Sequence, residues 1–461
     1  MKPQPNVNSQ YARDLTYAFH PYTNARAHEE RGPIIMDHGK GVFVYDDQGN
    51  EYLEALAGLW SVGVGYGEER LVTAAAEQMR KLPYYHSFAH KANGPAIDLA
   101  EQLVKMTPER LARVFFANSG SEANDTVIKM VWYYNNAIGR PEKKKIVARI
   151  RGYHGITIAS GSLTGLPWNH RDFDLPIANI LHTACPHHYR FAMEGESEEE
   201  FASRLAGQFE QLILDEGPET IAAFIGEPVM GAGGVIVPPK TYWQKIQAIC
   251  RKYDILVIAD EVITGFGRTG TPFACERFDI DPDILVLSKQ ITSSYLPMSA
   301  VLFTDAFYQP IADNTAKIGT FGHGFTTSGH PVASAVALEN LAIIQERDLF
   351  GNAARVGEYL QTRLRSAFSD HPLVGEIRGV GLIAAVELVA DKASKRSFDP
   401  LGRLGAYFFD QGHKRGIIIR NVQDSMAICP PLVITEEEVD ELVKRFGQTL
   451  DDALAWSRDA F

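Results

Sequence analysis

Basic charge is in short supply. Forty-five lysines and arginines face 57 aspartates and glutamates, and the net charge is −12. That balance gives no basic face for nucleic acid, and the one basic run, Lys143-Lys144-Lys145, reads as a solvated helix end. Cysteine is scarce as well. Cys185, Cys250, Cys275 and Cys429 are far apart and form no CxxC pair, which excludes a disulfide scaffold and points to core thiols in a reducing compartment. No run of about 18 apolar residues occurs, so no membrane-spanning helix is expected. The stretch Met1-Lys-Pro-Gln-Pro-Asn-Val-Asn8 has no apolar core of a leader, and a cytoplasmic location is expected. No GxxxxGK[ST] loop, internal repeat or low-complexity linker is found, which argues against a P-loop nucleotide hydrolase.

What remains is an ordinary globular composition, 45% hydrophobic and 22% charged over 461 residues. Val42–Tyr45 and Tyr52-Leu53, separated by a Gly49-containing turn, predict a hairpin. From about residue 70 to 330, apolar runs alternate with helical patterns. Strands are predicted at 114–117, 145–148, 221–225, 255–259, 284–287 and 299–303. Uninterrupted apolar strands separated by helices predict a largely parallel sheet covered on both faces. A helix is expected from Pro331 to about residue 347. Strands follow near 382–388 and 416–419, then a helix opened by the Thr435/Glu438 capping pair. The expected organisation is an N-terminal segment, 1–70, joining a small α+β domain at 331–461, around a large α/β domain at 71–330.

Ligands gather at the carboxyl ends of such strands. Four groups of residues stand there. Asn118-Ser119-Gly120-Ser121-Glu122 has capping-box spacing and offers a helix start with free N–H groups, which suits a phosphate; a plain capped helix has the same pattern. Asp260-Glu261 follows the strand at 255–259 and fits either a cation site or a structurally satisfied pair. Gly265-Phe-Gly267-Arg-Thr-Gly270 is formally GxGxxG, but Pro272 follows and no acidic residue ends the next strand. A turn suits it better than a nicotinamide dinucleotide. Lys289 ends the apolar run Ile284–Leu287. A partly desolvated amine there is a nucleophile toward a carbonyl; a snorkelling surface lysine is the alternative. Together, a phosphate cradle, a carbonyl-reactive lysine and an acid for a ring nitrogen fit pyridoxal 5′-phosphate. His187-His188 have no ligand set around them in sequence, and no metal is expected.

The chain resembles the class III pyridoxal-phosphate aminotransferases of fold type I, most closely the pyruvate-dependent ω-transaminases. The likeness spans nearly the whole chain. It is most specific from Val257-Ile-Ala-Asp260-Glu-Val262 through Gly265-Phe-Gly267-Arg to Asp283–Lys289. It implies Lys289 as the cofactor-bound catalytic lysine and proton carrier, and Asp260 as partner of the pyridinium nitrogen. Val262 and Tyr153 would lie on the two ring faces. Ser119, Gly120 and Ser121 would lie at the phosphate, and His154 and Glu227 near the cofactor. Thr326 would reach the phosphate of a neighbouring subunit, making a homodimer, or a tetramer, with its active site at the dimer interface. Tyr22, Trp60, Phe88, Tyr153 and Ala232 match pocket positions, and Arg420 matches the arginine that clamps the acceptor's carboxylate. The implied partners are an amine or ω-amino acid donor and a keto acid, pyruvate. An aminomutase or decarboxylase on the same fold, or a nicotinamide oxidoreductase, are the alternatives. One departure stands out: Gln290-Ile-Thr-Ser293-Ser294 follows the lysine where the family often has glycine.

Overall fold

The computed structural model describes residues 8–460; residues 1–7 and 461, with most of the stretch read as lacking a leader, lie outside the described residues. Three strands open the fold: β1 (Met36–Lys40), β2 (Phe43–Asp46) and β3 (Glu51–Glu54). The predicted hairpin is β2–β3, antiparallel through Phe43↔Leu53 and Tyr45↔Glu51.

Seven strands form the central sheet: β4 (Leu111–Ala117), β5 (Lys145–Arg149), β6 (Ile180–Thr183), β7 (Ile221–Gly226), β8 (Leu256–Asp260), β9 (Ile284–Leu287) and β10 (Ser299–Thr304). Their order is β4-β10-β9-β8-β7-β5-β6. All neighbours are parallel except β10, which runs antiparallel to both β4 and β9. Every residue of β7, β9 and β10 is buried, as expected for strands covered on both faces. Six of the seven were predicted. The seventh, β6, is a four-residue edge strand containing His182, too short and polar to separate from a loop by pattern.

The C-terminal sheet has the order β11-β12-β15-β14: β11 (Val374–Val380), β12 (Ile383–Leu388), β14 (Arg420–Val422) and β15 (Ser425–Ile428). Between them in sequence, β13 (Ile417–Ile418) pairs in parallel with β3, tying the start of the chain to its end. The strand expected at 416–419 is β13 alone; a further strand, β14, opens at Arg420 and turns into β15 at Gln423-Asp424, with Gln423 at φ 57°. The helix Pro331–Glu346 begins at Pro331 behind the His330 cap. The Thr435/Glu438 box closes the last helix start, with Glu438 N–H donating to Thr435 Oγ1 at 3.2 Å and Thr435 N–H to Glu438 Oε2 at 2.9 Å.

The GxGxxG stretch is a docking loop. Gly267 and Gly270 both have positive φ, and side chains there would meet Phe350 and Ala354 of the helix Leu349–Phe368. Arg268 is fully buried and donates to Leu382 O at 3.0 Å, to Pro430 O, and to Gln290 Oε1 at 3.1 Å. One residue thus joins the large sheet, the C-terminal part and the segment after Lys289. The same helix rests on the β11–β12 turn at Gly357, where a Cβ would lie 2.5 Å from the carbonyl carbon of Gly381. Gly357→Val is expected to destabilise the chain by roughly 2 kcal/mol or more, because backbone and not a flexible side chain fills the space; an unchanged melting temperature would contradict this.

Candidate active site

The carboxyl ends of β4, β5, β7, β8 and β9 surround a cavity of about 230 Å³. Lys289, Asp260, Tyr153, His154, Glu227, Val262, Ser119, Gly120 and Ser121 all line it. The parallel order β9-β8-β7 places the residues that end these strands side by side, which sequence spacing alone does not dictate.

Asp260 is 3% exposed. Its Oδ2 accepts from His154 Nδ1 at 2.7 Å and Asn124 Nδ2 at 2.9 Å, and its Oδ1 from Val262 N–H at 3.1 Å. Three donors hold the carboxylate in one orientation. The adjacent Glu261 points to the other side of the strand, as alternation requires. It caps the turn at Ala274 and Cys275 through backbone N–H bonds of 2.8 and 2.7 Å. Asp260 and Glu261 are therefore not a shared cation site.

Lys289 leaves β9 with φ 45°. Burial, partly opposed by the Asp260 charge, lowers its pKa from the ordinary lysine range to about 8. Asp260 favours the ammonium, while Arg420 disfavours it. The loop that follows explains the glycine-poor sequence. Ser293 and Ser294 adopt left-handed φ of 47° and 59°, where glycine is the usual residue. The conformation is held by Asn340, whose Nδ2 donates to Gln290 O at 2.8 Å and whose Oδ1 accepts from Ser293 Oγ at 2.7 Å. Gln290 also donates to Gly265 O at 2.8 Å.

The helix Gly120–Ala137 starts over the cavity. Ser119 Oγ accepts from Glu122 N–H at 3.2 Å, half of the expected capping box. The other half is absent, because Glu122 Oε2 takes the N–H and side-chain amide of Asn118 instead. The first N–H groups of a helix have no intrahelical acceptor, so Gly120 and Ser121 present donors and the positive dipole end to the cavity. A Cβ on Gly120 would touch both Val262 methyls at 3.3 Å and narrow this cradle.

Glu227 is buried, and burial, reinforced by Asp260, raises its carboxyl to about 7. It accepts from Tyr153 N–H at 2.9 Å and Gly231 N–H at 3.0 Å, clamping two loops together. Burial and the nearby Tyr22 hydroxyl push the Tyr153 phenol well above its ordinary value. Arg420 is half-buried beside Tyr22 and Tyr153, and burial lowers its pKa. No carboxylate is paired with Arg420 among the described residues.

The remaining pocket candidates are not among the residues that line this cavity. Tyr22 is 58% exposed and its hydroxyl accepts from Asn169. Trp60 is 1% exposed, within the apolar cluster of Leu56, Val229, Ile263 and Cys429; of these, Ile263 also lines the cavity. Ala232 is buried in the turn closed by the Met230↔Ile236 bridge. Phe88 is 48% exposed and packs against Gly324, close to exposed Thr326. Thr326 O accepts from Tyr84 OH at 2.7 Å. His187 Nε2 is 2.9 Å from Glu376, whose carboxylate Arg378 also occupies at 2.7 Å. Asn124 was missed from sequence. Its signal was available, since a polar residue one turn after Gly120 falls on the buried face of an amphipathic helix.

These residues fit pyridoxal 5′-phosphate. Free N–H groups at Gly120 and Ser121 suit a phosphate, the oriented Asp260 carboxylate suits a protonated ring nitrogen, and Lys289 supplies an amine whose lowered pKa leaves it partly unprotonated near neutrality. When bound, the cofactor supplies an aldehyde that takes up the amino group and a cationic ring that withdraws electrons from the donor carbon.

Comparison with known proteins agrees. Residues 24–450 match the family model "Aminotransferase class-III". The "Gamma aminobutyrate transaminase 1, mitochondrial" of Solanum lycopersicum is 51% identical over 431 residues, 93% of this chain and 84% of that protein. "Probable gamma-aminobutyrate transaminase 4" of Oryza sativa subsp. japonica is 50% identical over 93% of this chain and 89% of that protein. Among solved structures, an omega transaminase from Pseudomonas jessenii in complex with PMP is 60% identical with a TM-score of 0.96, covering 97% of this chain and 99% of that one. A transaminase solved with L-alanine is 61% identical with a TM-score of 0.90, covering 92% and 99%. The chain belongs to the class III aminotransferases: it is a fold type I enzyme that uses pyridoxal 5′-phosphate to move an amino group between an amine and a keto acid.

The electrostatics give a direct test. Asp260 raises the Lys289 pKa, so Asp260→Asn is expected to lower it below about 8. The pH at which the cofactor-free protein reacts half-maximally with pyridoxal phosphate should move down. An upward or absent shift would contradict the coupling.

Proposed function

We propose that this class III aminotransferase transfers an amino group from an ω-amino acid or amine donor to pyruvate, releasing alanine, in two half-reactions. The observation that carries the acceptor is Arg420: a half-buried guanidinium beside Tyr153, without a carboxylate partner among the described residues. An unpaired buried guanidinium is a bidentate site waiting for a small carboxylate. The L-alanine bound to a 61% identical transaminase supports the same couple. For the donor, the names of the curated relatives favour ω-amino acids, and those of the solved ones favour amines.

In this reading Lys289 carries the proton between the donor carbon and the cofactor. With its pKa near 8, it changes protonation at little cost near neutral pH. Asp260, gripped by His154 and Asn124, keeps the ring nitrogen protonated. Val262 and Tyr153 hold the ring faces, Glu227 fixes the Tyr153 backbone, and Ser119, Gly120 and Ser121 take the phosphate. Tyr22, Trp60, Phe88 and Ala232 shape the donor space.

The chain acts as a homodimer. Support comes from the surface: Thr326 is exposed on a segment tied to the cavity rim by Thr327 Oγ1 donating to Asn118 Oδ1 at 2.9 Å, and Tyr84, Tyr85 and Phe88 form an exposed aromatic group around it. Thr326 would then complete the phosphate site of the partner. The division into 1–70, 71–330 and 331–461 belongs to the same reading. A cytoplasmic location is supported by four buried, unpaired cysteines.

Lys289→Ala should abolish turnover. Arg420→Ala should lower kcat/KM for pyruvate by about a hundredfold, the loss of a charge-assisted bidentate contact, while changing the half-reaction with a carboxylate-free aromatic amine only a few-fold. The visible spectrum during each half-reaction, with alanine assayed as product, measures both. Equal losses on both substrates would remove the role given to Arg420, and failure to form alanine would remove pyruvate as acceptor.

A further inference from the structure

A cluster near the start of the chain has no part in the reaction. Asp14 lies on the helix Gln10–Tyr17, His20 in the turn that follows, and His28 on the helix Ala25–Arg31. His20 Nε2 is 2.8 and 2.9 Å from the two Asp14 oxygens, and His28 Nε2 is 2.9 Å from Oδ2. The two imidazoles face each other with centroids 4.2 Å apart. The side chains are sheltered but reachable: 21% exposed for Asp14, 35% for His20 and 14% for His28. Two ring nitrogens and a carboxylate thus converge from three segments, all within 4.8 Å of one another. No lysine or arginine pairs with Asp14 among the described residues.

That last point separates this cluster from the other one of similar make-up, His187 with Glu376 and Glu387. There the Arg378 guanidinium lies 2.7 and 2.8 Å from the two carboxylates, and Arg190 also holds Glu387 at 2.8 Å. Those acids already have their cations. Asp14 has only two imidazoles, each of which can offer a lone pair.

We propose that Asp14, His20 and His28 form a binding site for a divalent transition-metal ion of the zinc type, and that the ion staples the segment carrying Tyr22 over the mouth of the active site. Two imidazoles and one carboxylate are a ligand set zinc accepts with its fourth position open to water. Zinc bonds of about 2.0–2.1 Å in a tetrahedron put ligand atoms roughly 3.3 Å apart. The nitrogen–oxygen contacts therefore open by about half an ångström, a small rotation for side chains of partial exposure. His20 and His28 bracket Tyr22, whose hydroxyl meets Asn169 and Tyr153. An ion bound at both ends of that stretch restricts the loop between them.

The test uses the untagged, cofactor-loaded enzyme and zinc alone. Equilibrium dialysis with metal analysis should find one saturable zinc per chain. His20→Gln, His28→Gln and the nearly isosteric Asp14→Asn should each weaken it by about a hundredfold, as loss of one ligand does, while His38→Gln, on the exposed strand β1, leaves it unchanged. Hydrogen exchange should show zinc slowing the backbone amides of residues 18–24 in the wild type and not in Asp14→Asn. Absence of saturable binding, or equal binding in all four variants, would overturn the site. Binding without slower exchange would overturn the staple.

Discussion

The structure is organised around one buried electrostatic relation, the Lys289 amine facing the Asp260 carboxylate across the ends of two adjacent strands. Neither group is at ease in an apolar interior. The lysine responds by losing basicity, to about 8. The aspartate is instead supplied with three donors, from His154, Asn124 and Val262. Each donor comes from a different element: the loop after β5, the helix Gly120–Ala137, and the chain just past β8. Much of the architecture around the central sheet serves to bring these together, and a buried charge left without them would cost several kcal/mol.

That demand reaches the periphery through the loop after the lysine. Lys289, Ser293 and Ser294 all adopt left-handed backbone. Such strain persists where surrounding structure over-determines it. Here Asn340 grips the loop from a long buried helix, and Gln290 ties it to Gly265 and, through Arg268, to Leu382 and Pro430 in the C-terminal part. The glycines around Arg268 let the helix Leu349–Phe368 approach closely. A stretch that looks like a nucleotide loop is thus a joint that holds the segment after Lys289 in place from the far side.

Much of this was legible beforehand. Apolar runs with β-branched residues marked six central strands, because strands covered on both faces cannot afford polar residues. Gly120 between two serines, an acid at the end of one strand and a lysine at the end of another were visible as chemistry. What was not visible has physical reasons. The edge strand β6 is short and half polar, since only one neighbour and one face constrain it. The break between β13 and β14 depends on a change of sheet partner, from β3 to β15, which no local pattern encodes. Glu122 bonding back to Asn118 rather than Ser119 is a choice between two nearby donors of equal chemistry.

The sequence by itself determined the elements and the kinds of reactive group, because hydrophobic periodicity and side-chain chemistry are local properties. Tertiary structure decided which groups meet. Strand order set Lys289 beside Asp260, His154 turned from a neighbour of Tyr153 into the clamp on that acid, and Glu261, one residue from Asp260, went to cap a helix on the opposite face. It also drew Asp14, His20 and His28 together from two helices and a turn. These outcomes depend on distances between residues far apart in the chain, and those distances exist only once the sheet has closed and the helices have packed upon it.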